Sequence, residues 1–157
     1  MTQQPRLFSL ALLVATLGYF VDVYDLVLFI VLKNPSLTDL GIPREQMITV
    51  GASLLDTQML GMLVGGVVWG VLGDKLGRTK ALFGSILIYS VANILNGFVD
   101  SVGWYHFYRA LAGFGLAGEL GAGVTLVAEI LPTAIRGYGT TIIASVGVLG
   151  EIGRAHV

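Results

Sequence analysis

The chain has 157 residues, 55% of them hydrophobic and 12% charged, with a mean hydropathy of +0.82. A soluble domain carries roughly twice that charged fraction, so much of the apolar surface has to face lipid. The formal net charge of -1 leaves no nucleic-acid footprint, and the lack of cysteine excludes a disulfide frame, a thiolate nucleophile and a Cys-based metal site. No serine or paired-histidine arrangement suits hydrolysis and nothing has metal-ligand spacing, so neither an enzyme nor a cofactor is expected.

A short polar start, residues 1–6, ends in Arg6. The first apolar run, 7–32, is longer than the core of a cleavable signal peptide and is read as a membrane span, which takes roughly 20 residues. Residues 33–46 form a polar connection in which Pro35, Gly41 and Pro43 are expected to forbid a continued helix. Further spans are expected at 47–72, 81–99, 104–131 and 137–150, giving an all-α transmembrane bundle over residues 1–150. Asp100 to Gly103 reads as a tight turn. Trp104, Tyr105, Phe107 and Tyr108 read as an interfacial aromatic belt with His106 beside it. Pro132 ends the fourth span.

The polar island from Gly70 to Lys80 separates two spans and predicts a tight turn at a membrane surface. Gly66, Gly70, Gly73 and Gly77 are small enough to let backbones approach closely. Asp74 can meet a helix N-terminus or a neighbouring cation, and Lys75, Arg78 and Lys80 mark the loop as cytoplasmic. With the N-terminus inside, the inner segments hold Arg6, Lys75, Arg78, Lys80 and Arg136, and the outer ones only Lys33 and Arg44. Five against two favours that orientation.

Ionisable groups inside hydrocarbon cost about 2.5–3.5 kcal/mol each on insertion scales, so each needs a reason. Asp22 and Asp25, at i and i+3, share a face of the first span, with Tyr19 one turn earlier. Asp56 lies in the second span, and Arg109 and Glu119 in the fourth. At about 1.5 Å rise per residue, Asp25 and Arg109 fall at similar depth, and Glu119 near the midplane. Four carboxylates beside one guanidinium cannot all stay ionised, so one that alternates between protonation and pairing with Arg109 is a physical basis for proton coupling. Blander readings stand beside this one. The Asp22 and Asp25 pair could line a wet cavity, Arg109 could snorkel to the interface, Asp56 could sit in outer water, and Glu119 could be a packing hydrogen-bonder. Glu129 and Arg136 read as a salt bridge at the inner end of the fourth helix.

The segment Gly70-x3-Asp74-Lys75-x-Gly77-Arg78-x-Lys80, set between two spans, resembles the signature loop between the second and third helices of the major facilitator superfamily. Tyr108-Arg109-x3-Gly113-x-Gly115-x2-Gly118 and Ala128-Glu129-x2-Pro132-x3-Arg136-Gly137 are similar to the fourth helix and following loop of its sugar-porter and organic-acid symporter branches. The pair Tyr24-Asp25 matches the first-helix aspartate that works with a fourth-helix arginine in proton-coupled sugar porters, here Arg109. The spacing Asp22-x2-Asp25, and Gly118-Glu119, look more like the metabolite:proton symporters.

The resemblance implies about the first five of twelve helices of a multi-pass transporter of the bacterial inner membrane. It would move a small polar metabolite, an organic anion or a sugar, together with protons. Asp22, Asp25 and Arg109 are the coupling candidates, and Tyr19 and Glu119 the substrate-lining ones. Gly70, Asp74, Lys75, Gly77, Arg78 and Lys80 form the conformational loop, and a C-terminal half completes the substrate site. The alternatives are a proton-independent facilitator and a membrane scaffold. Residues 152–157, Ile-Gly-Arg-Ala-His-Val, match the translation of a common sequencing-adapter read, so the native sequence is expected to end near Gly150, leaving 151–157 as a non-native tail.

Overall fold

The computed structural model describes residues 10–130; within them, the side chains of 10–19, 21–23, 26, 122–124 and 126–130 stand outside the description. Four helices run in order: α1 (Leu10–Asp39), α2 (Arg44–Leu76), α3 (Arg78–Asn96) and α4 (Val102–Ile130), with no strand among the described residues. At about 1.5 Å per residue α2 is roughly 50 Å long. It is long and apolar enough to cross a membrane. The expected fifth span and the tail fall outside the described residues.

The central element is α4, with α2 and α3 packed along it and α1 touching it less extensively. The reason is small residues. A methyl group at Gly61 would overlap the backbone of Ala110, one at Gly65 that of Phe114, and one at Gly113 that of Gln58. On the α3 side a methyl at Gly115 would strike Tyr89 and Ser85, and one at Gly118 Ser85 and Trp69. Lipid supplies no hydrophobic drive between helices, so this close backbone approach and its dispersion contacts hold them together. Trp69 adds a directed bond, its Nε1 donating to the Phe114 carbonyl at 2.8 Å.

Gly66 and Gly70, expected at such contacts, have nothing among the described residues within 4 Å of a hypothetical Cβ. On a helix of about 3.6 residues per turn, Gly66 stands about 100° round the axis from Gly65, so it cannot share the face that meets α4.

Two further expectations are corrected. The helix does not stop near Lys33 but continues through Pro35 to Asp39. Leu37, fully buried with Phe29, Leu54 and Tyr105, anchors that last stretch, and the Thr38 hydroxyl donates to the Asn34 carbonyl at 2.9 Å. The stop comes at Gly41, with φ of 74°, where Gly41 N–H bonds Thr38 O at 2.9 Å and Ile42 N–H bonds Leu37 O at 3.0 Å. Those two bonds are a Schellman closure, whose left-handed position suits glycine. The polar island, for its part, is not a tight turn over its whole length but helical on both sides of one residue. Gly70, Gly73, Asp74 and Lys75 are helical, and Gly77 alone, at φ 94° and ψ 144°, separates α2 from α3. It closes one helix and opens the next, its N–H bonding Gly73 O at 3.1 Å and its carbonyl accepting from Ala81 N–H at 3.2 Å.

Candidate functional site: a buried arginine between α1, α2 and α4

Arg109, 3% exposed, is a buried cation at the crossing of three helices. Its placement follows from the glycine packing just described, because Ala110 and Gly113 on α4 lie against Gly61 and Gln58 on α2. Arg109 Nη2 donates to Gln58 Oε1 at 2.7 Å. Its Nη1 lies 3.9 Å from Asp25 Oδ2, a distance for charge attraction rather than a hydrogen bond. The guanidinium carbon stands 3.7 Å from the centroid of the Phe29 ring, so the ring face provides the third side of the pocket. Phe29 is itself held edge-on by Tyr105, with centroids 6.2 Å apart.

The Asp25–Arg109 pair lines a cavity of about 670 Å³ that reaches Asn93, Asn96 and Tyr105 and extends to Asp39 and Asp100 at the helix ends. Several buried polar atoms in and beside it make no hydrogen bond among the described residues: Asp25 Oδ2, Arg109 Nε, both amide atoms of Asn96, and Gln58 Nε2. Tyr89, on α3, also interacts with the Asp25 carboxyl. This is a charged, incompletely saturated polar site inside an otherwise apolar bundle, the arrangement in which a proton or an anionic group has something to bind.

The structure brings Asp25 and Arg109 together. Glu119 is half-buried ten residues further along α4, about 15 Å away along the axis, and is not part of this cluster. Asp56 is exposed. Tyr19, Asp22 and Glu129 lie on described helices but their side chains do not, and Arg136 lies outside the described residues. At the far end of α2, Arg78 Nη2 meets Asp74 Oδ1 at 2.6 Å across the Gly77 break. Lys75 stands in the last turn of α2, where a cation favours the helix dipole, and Lys80 is exposed in the first turn of α3.

Sequence reasoning missed Gln58 and misread one aromatic-belt residue. Gln58, 1% exposed, is the closest partner of Arg109 found here. The available signal was an uncharged polar side chain inside an apolar run, which lipid tolerates only with a partner. Tyr105 belongs to the core at 5% exposure, not to the belt, while Trp104, Phe107 and Tyr108 do stack on one another. His106 is half-buried, with its ring nitrogen Nδ1 2.8 Å from Thr57 Oγ1 on α2.

Glycine-packed helices, one of them long and apolar enough to cross a membrane, thus enclose a buried arginine that faces a carboxylate. The chain belongs to the Major Facilitator Superfamily, whose family model matches residues 9–152. Membership of this family makes the chain part of a membrane protein. A Haemophilus influenzae protein named for metabolite transport is 34% identical over 143 residues, which are 89% of this chain and 34% of that protein. The niacin transporter NiaP of Acinetobacter baylyi is 36% identical over 98 residues, 62% of this chain and 22% of its own length. The sialic acid transporter NanX of Escherichia coli is 27% identical over 155 residues, 99% of this chain and 36% of its own. The chain therefore spans about a third or less of the length of these curated relatives.

Proposed function

We propose that the whole transporter, to which this chain contributes N-terminal helices, is a secondary active symporter that carries a small organic anion together with protons by alternating access. The observation that carries this reading is the buried Arg109, shared between Asp25 on α1 and Gln58 on α2. While Asp25 is ionised it attracts Arg109. Once protonated it no longer does, and the guanidinium is left to Gln58 alone. The energy difference between two packings of α1 against α4 then depends on one proton, which is what coupling requires. The 3.9 Å separation supports such a role, since a tight bidentate pair would be harder to part.

An anion is the favoured cargo. Niacin and sialic acid, for which two relatives are named, are both carboxylic acids. Asp22 joins Asp25 and Arg109 in coupling, Tyr19 and Glu119 line the substrate path, and the Asp74–Arg78 pair, with Gly70, Lys75, Gly77 and Lys80 around it, acts as a breakable lock at the cytoplasmic face. The five-to-two distribution of cations supports a cytoplasmic N-terminus, and the bacterial relatives support an inner membrane.

The test is uptake of candidate carboxylic acids by the full-length protein, with and without an inward proton gradient. Wild type is expected to accumulate substrate only with the gradient, and Asp25→Asn to lose accumulation while retaining exchange. Uptake indifferent to both the gradient and the substitution would leave a facilitator.

A further inference from the structure

The cavity beside the Asp25–Arg109 pair takes its walls from α1, α3 and α4. Asp25 and Asp39 both line it, so at about 1.5 Å per residue it runs about 21 Å along α1. Its charge is lopsided. Asp25, Asp39 and Asp100 line it against one cation, Arg109, which already donates to Gln58 and attracts Asp25. Asp39 and Asp100, both exposed at the mouth, have no other cation among the lining residues. A cleft with such a lining concentrates cations and repels anions. Its interior is equally distinctive. Arg109 is 3% exposed and lines the cavity, yet its Nε has no hydrogen-bond partner among the described residues. The same holds for Asp25 Oδ2 and for both amide atoms of Asn96. A cavity of this size with donors and acceptors along its wall is suited to hold water.

An organic anion is repelled at this mouth, whereas a hydrated proton is drawn in. We propose that the cavity is an aqueous inlet through which protons reach Asp25 from the outer face, separate from the path of the carboxylic acid cargo. Its polar wall is on α3. Tyr89 interacts with the Asp25 carboxyl, and Asn93 and Asn96 follow it by about one and two turns. The two amides therefore lie between the buried pair and the mouth, where they can hold a file of water. The charged and titratable groups that face Asp25 along this route are Asp39 on α1, Tyr89 on α3, Asp100 ahead of α4, and Tyr105 and Arg109 on α4. From α2, uncharged Gln58 meets Arg109. The inlet's part in transport rests on the coupling role proposed for Asp25 and Arg109; the sign of its field and its access to water do not.

Asn96→Cys in the full-length transporter tests the inlet, with any cysteine of the C-terminal part replaced by serine; residues 1–157 contain none. Two membrane-impermeant methanethiosulfonates are added to the outer face, one carrying a trimethylammonium group and one a sulfonate. Relative to their rates with a free thiol in solution, the cationic reagent is expected to react at least about tenfold faster than the anionic one. Asp39→Asn combined with Asp100→Asn is expected to remove that preference. Ser36→Cys, on the α1 wall, repeats the measurement without touching Asn96. No labelling at either position, or a preference for the anionic reagent, overturns the inlet. Transport gives the second readout. Labelled protein is expected to lose gradient-driven accumulation several-fold and to keep exchange of internal for external carboxylic acid, which needs no net proton movement. Loss of both makes the cavity the cargo path, and a change in neither removes its proton role; each overturns the proposal. Wild-type accumulation that ignores the gradient is a different result: it overturns the coupling reading, and the inlet's part in transport falls with it whatever the labelling ratio.

Discussion

The Arg109 guanidinium on α4 donates to the Gln58 side-chain oxygen on α2 at 2.7 Å, with both residues almost wholly removed from solvent. This bond holds a buried cation in place without neutralising it, so the charge remains available to Asp25 and to whatever enters the adjoining cavity. Gln58→Leu is expected to lower thermal stability by about 1.5–3 kcal/mol, the ordinary contribution of a hydrogen bond to a charged group. Gln58→Glu is expected to keep the fold and suppress gradient-driven uptake, because a permanent carboxylate competes with Asp25 for the same guanidinium. Thermal melts monitored by tryptophan fluorescence, alongside uptake, separate the two variants.

Glycine substitutions on α2 and α4 are expected to divide by face. Gly61→Ala and Gly113→Ala place a methyl on the facing backbone and should each destabilise by about 1–3 kcal/mol, as overpacking does. Gly66→Ala and Gly70→Ala meet nothing within 4 Å among the described residues. They should be neutral or slightly stabilising, by up to about 1 kcal/mol of helix propensity. Melting of the four variants in one detergent checks the division, and equal losses at all four positions would contradict it.

Gly77 carries the only break between α2 and α3, at a backbone conformation open to glycine and strained for other residues. Gly77→Ala is expected to cost about 1–3 kcal/mol. The loss should appear in the melt without any change in the pH profile of uptake, because the break lies about 28 Å along α2 from Gln58.

The Asp74–Arg78 pair tests the proposed lock. Asp74 is 68% exposed at its side chain, so its pairing contributes no more than about 1 kcal/mol to stability. Asp74→Asn is therefore expected to melt like wild type. A strong fall in its transport rate would place the role of the pair in the conformational cycle, and unchanged transport would remove the lock.

Membrane character, an all-helical fold and family membership were legible in the sequence because they depend on composition and short-range spacing. Long apolar runs have to find lipid, and the Gly-Asp-Lys-Gly-Arg island keeps its pattern whether it is read as a turn or as two helix ends. Asp25 and Arg109 could be singled out because a charge inside hydrocarbon is expensive wherever it lies. Their separation, and the part taken by Gln58, depended on which faces α1, α2 and α4 turn to one another. That choice rests on Gly61, Gly65 and Gly113 rather than on the glycines of the island, and side-chain-free positions give no hydrophobic period from which to read it. The continuation through Pro35 likewise followed from the burial of Leu37 against distant partners, a tertiary contact that outweighs a local helix-breaking preference. Local chemistry thus determined what kind of protein this is, while packing between helices far apart in sequence decided which polar groups meet inside it.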